Sequence, residues 1–117
     1  MKTAIVIPKA CLEKNSDYEG KIEIRPPLAE ERFEYFDLVG VEFNANSEIE
    51  VKDKNPIHVL KVLMPKLKDH LVVIDIKRKS DKEVLSSYDD LSQDPGCMAI
   101  LSELAMMLLS GFKPSKN

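Results

Sequence analysis

The chain has 117 residues, a formal net charge of −3 at pH 7, and 44% apolar and 32% charged residues. These values are typical of one globular domain with a core of its own. Residues 1–58 carry eight basic against twelve acidic side chains, and residues 59–117 carry nine against eight, so neither half is basic enough to make nucleic acid the expected partner. The first apolar run is too short for a signal peptide, and the run 98–109 is too short to span a membrane, so we expect a cytoplasmic protein.

The N-terminal third predicts two strands and one helix. Residues 3–8 are rich in β-branched side chains and predict a strand or an extended arm, whereas 9–19 are mixed and predict a loop. Gly20 indicates a turn before 21–25, where polar and apolar residues alternate as in a half-buried strand. Residues 28–40 follow two prolines, carry apolar residues at helical spacing and end in a glycine, so they predict a helix.

The middle of the chain leaves one alternative open. Residues 41–52 predict either a hairpin or a partly ordered loop. Asn55 followed by a proline is a capping signal that starts a second helix, which Pro65 is expected to stop or kink. Residues 71–76 (LVVIDI) predict the strongest strand of the chain.

The C-terminal part predicts a short strand and two helices. After a charged turn, residues 83–86 could return as a short strand. Ser87 and the acidic residues after it fit a capping box for a short helical turn. Asp94 with the following proline starts a final helix that Gly111 closes.

This order of elements predicts an α+β fold. We expect a small, mainly antiparallel sheet packed with two or three helices and ending in a long apolar C-terminal helix. We assign residues 1–20 to an extended N-terminal arm or strand, 21–113 to a single domain and 114–117 to a polar tail.

The final helix is apolar around most of its circumference, because only Ser102 and Glu103 are polar between Cys97 and Leu109. A helix that packs on a core from one side needs only an apolar stripe. The helix is therefore either buried in the core, which is the commoner arrangement, or exposes an apolar surface that binds another chain. Its methionines fit both roles, since flexible thioethers fill irregular gaps and also suit adaptable binding surfaces.

No residue pattern indicates a catalytic or metal site, so we predict a protein that is not an enzyme and has no cofactor. His58 and His70 have no metal-ligand spacing, and Cys11 and Cys97 form no CxxC pair. The apolar surroundings of Cys97 oppose a reactive thiolate. The acidic clusters fit solvated or capping positions on helices: Glu30, Glu31 and Glu34, then Asp89 and Asp90.

Three stretches share their layout with a known family. RPPLAEERFEYFDLVG is followed by a charged hairpin, then by SYDDLSQDP, and then by an apolar helix ending in LLSGF. Over residues 21–113 this resembles the small tail assembly chaperones of long-tailed bacteriophages and prophages. The resemblance implies a non-catalytic protein that binds and solubilises the tape-measure protein and helps to recruit tail tube proteins. It also implies a location in the host cytoplasm, absence from the mature virion and, in many members, a frameshifted longer form.

By this resemblance the partner-binding surface lies on the last helix, with aromatic residues of the first long helix beside it. It comprises Leu101, Leu104, Met107, Leu108 and Phe112, with Phe33 and Phe36 beside them. A free apolar surface would also favour self-association. The residues alone leave two alternatives open: a small phage or bacterial adaptor or inhibitor that binds one folded partner, and a small enzyme with an unrecognised site.

Overall fold

The computed structural model describes residues 2–43, 45–51 and 55–111. In these ranges the elements in chain order are β1 (Ala4–Val6), α1 (Lys9–Leu12), β2 (Tyr18–Ile24), α2 (Ala29–Val39), β3 (Val41–Phe43), β4 (Ile49–Val51), α3 (Pro56–Leu67), β5 (Leu71–Arg78), β6 (Val84–Leu85), α4 (Tyr88–Gln93) and α5 (Met98–Ser110). A 3-10 turn (Lys68–His70) follows α3, and another (Pro95–Cys97) leads into α5.

One antiparallel sheet has the strand order β1-β2-β5-β6, and β3 and β4 form a separate antiparallel pair, which is the predicted hairpin. In the central pair, Ile22 lies opposite Ile74. Side chains alternate between the two faces of a strand, so Ile22, Ile24, Ile74 and Ile76 are all buried on one face. They form one core cluster with the buried side chains of α2, α3 and α5. The predicted α+β fold with a mainly antiparallel sheet is thereby confirmed.

The starts of α3 and α5 and the end of α2 lie at the capping residues that the sequence indicates. The Asn55 side chain accepts a hydrogen bond from the Ile57 N–H at 3.0 Å at the start of α3, as an N-cap does. Asp94 accepts one from the Gly96 N–H at 2.9 Å before α5. Gly40 ends α2 in the left-handed conformation, with φ of 72°, which glycine adopts without steric cost.

The N-terminal residues differ from their prediction. Residues 9–12 form α1 rather than a loop, and the Lys9 N–H donates to the Glu103 carboxylate of α5 at 2.8 Å. Gly20 lies within β2 rather than in a turn, at φ of 130°, and a Cβ there would collide with the Asp75 carbonyl of β5. The predicted boundary after residue 20 therefore falls inside β2, and β1 pairs with the same strand.

Pro65 does not stop α3, because the helix continues to Leu67. A proline has no N–H to donate to the carbonyl four residues earlier, so the last turn of α3 lacks that hydrogen bond. Leu63 and Leu67 on either side of it have no exposed surface. Their burial holds this turn against the core.

Candidate functional site

The last helix, α5, is built largely into the core. Leu104 and Leu108 have no exposed surface, and Leu101 is 5% exposed. All three belong to the same core cluster as Phe36 of α2. Core packing therefore accounts for most of the apolar circumference of this helix, and a partner that binds this folded conformation does not reach Leu104 or Leu108.

The remaining residues of the predicted binding surface differ in how far they are exposed. Phe33 is 64% exposed on α2. Phe36 is buried, with the Arg32 guanidinium carbon 5.4 Å from its ring centre. Met107 is half-buried against the core. Phe112 and the predicted tail 114–117 lie outside the described residues.

An apolar groove lies at the N-terminal ends of α3 and α5. Its volume is about 380 Å³. The apolar side chains that line the groove are Ile57, Leu60, Met64, Pro95, Met98 and Leu101. Two of them face water to a large extent, since Met98 is 72% and Ile57 is 60% exposed. Apolar area that stays in contact with water in this way is typical of a binding surface.

The sequence contains a signal for this groove in the pattern of α3, which carries two apolar rows. The inner row is buried: Val59, Leu63 and Leu67. The outer row lines the groove: Ile57, Leu60 and Met64. Leu60 and Met64 of the outer row also pack partly against the core, whereas Ile57 is 60% exposed, so the outer row leaves apolar area uncovered. The sequence predicts a single apolar face with Ile57, Leu60, Leu63 and Met64, and the structure divides that face, because Leu63 is buried whereas Ile57 is exposed.

The polar side chains of the groove wall differ in how far they are already hydrogen bonded. The Ser102 hydroxyl donates to the Met98 carbonyl at 2.7 Å, and the Ser92 hydroxyl donates to the Asp89 carbonyl at 3.0 Å. Lys61 also lines the groove and is exposed. The described part of the chain provides no hydrogen-bond or ion-pair partner for its ammonium group. Lys61 is therefore the lining side chain whose hydrogen-bond donors are unused.

Asp94 closes one end of the groove and is held from three directions. Its carboxylate accepts hydrogen bonds from the Tyr18 hydroxyl at 2.8 Å, from Arg78 Nη2 at 2.7 Å and from the Gly96 N–H at 2.9 Å. The Asp94 side chain is only 7% exposed. The Arg78 guanidinium holds the pKa of this carboxyl below its usual range, and burial raises the pKa of Tyr18 to about 12. This Asp94 cluster fixes β2 and β5 to the start of α5.

A second polar cluster surrounds His70, which has no exposed surface. His70 Nδ1 lies 2.6 Å from the Arg25 carbonyl oxygen. A carbonyl only accepts, so Nδ1 carries the proton, and Nε2 of a neutral ring accepts from the Tyr35 hydroxyl at 2.7 Å. Arg25 pairs with both oxygens of Glu31 and lowers the pKa of that carboxyl to about 2. Because a substrate cannot reach the buried ring, this cluster serves to join the end of β2 to α2.

The two cysteine thiols are shielded from solvent to different degrees. Cys97 is fully buried and Cys11 partly buried, and burial raises the pKa of each thiol to about 11. A thiol in that state is a poor nucleophile at neutral pH. Across residues 2–43, 45–51 and 55–111, no group of three or more His, Cys, Asp or Glu side chains could hold a metal ion. No helix in these ranges is long and apolar enough to cross a membrane.

Of the arrangements described above, the groove alone combines access from solvent with apolar area that is not covered. The Asp94 cluster supports one end of it, and the His70 cluster is closed. Comparison with known proteins gives no match, since no family model, no curated protein and no solved structure matches the chain.

Proposed function

We propose that the chain is a tail assembly chaperone. It would hold apolar helical stretches of a tape-measure protein in solution and help to bring tail tube proteins to them, without catalysing a reaction. The observation that carries this proposal is the apolar groove between α3 and α5, which exposes Met98 and Ile57 to water. The resemblance in sequence layout supplies the identity of the partners.

The lining of the groove favours a helix as its occupant. An extended peptide needs hydrogen-bond partners for its own N–H and C=O groups. The groove wall is formed by helices, whose backbone groups bond internally, and its hydroxyl groups on Ser92 and Ser102 already donate elsewhere. A helix satisfies its own backbone, so it can bury an apolar stripe here and lose no hydrogen bonds.

Two methionines in the lining suit a partner with many helical binding segments whose apolar side chains differ in shape. Met64 and Met98 lie on opposite walls of the groove, one on α3 and one on α5. A methionine side chain has three rotatable bonds and adapts to differently shaped apolar side chains. Surfaces of this kind bind several sequences with similar affinity. A chaperone that coats a long helical protein in many copies needs that tolerance.

The proposal is tested by co-expressing the chain with a long helical, insoluble protein of the tape-measure type from the same genome. We expect a soluble complex that contains several copies of the chain, measured by pull-down and light scattering. Met98→Asp should abolish the complex, because it places a charge in the groove. Since Met98 is the first residue of α5, an aspartate there interacts favourably with the helix dipole and should not unfold the protein.

Val84→Asp is the matched control, because Val84 is 55% exposed on β6 and does not line the groove. This variant should keep the partner soluble. A partner that stays insoluble with the unmodified chain would refute the proposed function. A soluble complex that survives Met98→Asp would refute the groove as its site.

A further inference from the structure

We infer that the helix held in the groove carries an acidic side chain at the border of its apolar stripe, where it meets Lys61. This inference rests on the proposed function, because it requires that the groove holds a helix. It adds the chemistry by which the groove selects among apolar helices.

Lys61 is the charged group of the groove that is available to a partner. It lies on α3 between Ile57, four residues earlier, and Met64, three residues later, and all three line the groove. Residues at these spacings share one face of a helix. The ammonium group therefore stands directly beside the outer apolar row. In contrast, Lys66 on the same helix is already paired with Glu34 at 3.2 Å.

The one acidic residue in the lining does not cancel this charge. The Asp94 carboxylate is paired with Arg78 Nη2 at 2.7 Å and also accepts from Tyr18 and Gly96. Its oxygens are thus already engaged within the domain, and its side chain is only 7% exposed. Lys61 remains as the charged side chain of the wall that has no partner in the described residues.

The dipole of α3 favours the same kind of occupant. Ile57 is the second residue of α3, so the N-terminal end of this helix borders the groove, whereas the start of α5 is already capped by the Asp94 carboxylate. Each helix N-terminus carries a partial positive charge that favours an anion nearby. An apolar helix with a flanking carboxylate therefore matches the groove better than one with a flanking amide or ammonium group.

The inference is tested with three synthetic helical peptides of about 20 residues that share one leucine stripe. They differ only in the residue at its border, which is Glu, Gln or Lys. Dissociation constants are measured by fluorescence anisotropy at low salt. We expect the Glu peptide to bind about fivefold more tightly than the Lys peptide, which is the scale of an exposed ion pair. The difference should shrink as salt is added, since salt screens exposed charges.

Lys61→Glu should reverse this order of affinity, so that the Lys peptide binds most tightly. Lys14→Glu is the matched control, because it makes the same change of charge on an exposed residue outside the groove, and it should leave the order unchanged. Both substitutions are at exposed positions, and the far-UV circular dichroism of each variant shows that it is folded.

The outcomes separate this inference from the proposed function. Equal binding of all three peptides would overturn the inference and leave the apolar groove as a site without charge selection. Failure of all three to bind would refute the proposed function and the inference with it. Binding of dodecanoate but of no peptide would overturn both in favour of an acyl carboxylate ligand. A dimer of the chain alone that Met98→Asp abolishes would overturn the inference in favour of a second copy as occupant.

Discussion

Replacing Asp94 with alanine should lower the free energy of unfolding by about 3 kcal/mol, although the residue is not part of the hydrophobic core. The Tyr18 hydroxyl, on a side chain that is 7% exposed, would lose its acceptor, which costs about 1–3 kcal/mol for a buried donor. The capping bond to the Gly96 N–H would also be lost, at a cost of about 1 kcal/mol. The released Arg78 guanidinium adds to this loss, because it would keep only its exposed pair with Asp81.

The assay is urea unfolding followed by far-UV circular dichroism near neutral pH. Asp89→Ala is the control: Asp89 is an exposed acidic residue in the first turn of α4, and its loss should change the free energy of unfolding by no more than about 0.5 kcal/mol. A loss below about 1 kcal/mol for Asp94→Ala, the size of one ordinary hydrogen bond, would refute the reasoning. The three bonds to Asp94 would then not fix α5 to the sheet.

The same substitution should change the response of the protein to acid. The pKa of Asp94 in the folded protein lies below its ordinary value of 3.8. A carboxyl with a lowered pKa contributes stability above its ordinary pKa, and that contribution disappears as the pH falls through the folded value. Asp94→Ala should therefore flatten the decline in stability below about pH 4. An unchanged acid profile would contradict the assignment of Asp94 as a paired carboxylate.

Two further substitutions test the His70 cluster and the packing of the last helix. Glu31→Gln should cost about 1–2 kcal/mol, because it removes the charge that Arg25 pairs with. It should also flatten the decline in the free energy of unfolding between pH 4.5 and about 2, the ordinary and lowered pKa values of Glu31. An unaltered midpoint of urea unfolding would contradict this role of Glu31. Leu104→Ala should lower the free energy of unfolding by about 3 kcal/mol, since Leu104 has no exposed surface. A loss below about 1 kcal/mol in urea unfolding would indicate that Leu104 lies on the surface, as the sequence suggested.

The helix starts could be predicted because their signals are local. A capping side chain and its N–H partner lie two or three residues apart, as in Asn55 with Ile57 and Ser87 with Asp90. These short-range contacts do not depend on how the rest of the chain folds. The residue pattern that predicts the strand at 71–76 is likewise a short-range signal.

Elements that depend on distant contacts could not be predicted from pattern. The helix α1 is supported by Glu103, which lies 94 residues from Lys9 in the sequence. Gly20 indicates a turn by its type, but its position inside β2 follows from the close approach of the Asp75 carbonyl on the neighbouring strand. Neither contact is visible from the sequence before the chain has folded.

The packing of the last helix depends on distant contacts in the same way. The helix α5 is apolar on nearly all sides, so its sequence does not reveal which side the sheet and the other helices cover. Packing buries Leu104 and Leu108 and leaves Met98 exposed at the other end of the helix. The groove also needs α3, whose residues lie some forty positions earlier in the chain, about the separation of Ile57 and Met98.

The most direct test of the groove is a methyl NMR titration of the chain labelled at its methionine methyl groups. Met64 and Met98 line the groove, whereas Met106 and Met107 lie toward the C-terminal end of α5 and serve as internal controls. On addition of the helical peptide with the Glu-flanked leucine stripe, we expect the signals of Met64 and Met98 to shift and saturate together, with little change at the other two. Shifts confined to Met106 and Met107, or the absence of any shift, would contradict the assignment of the α3–α5 groove as the binding site.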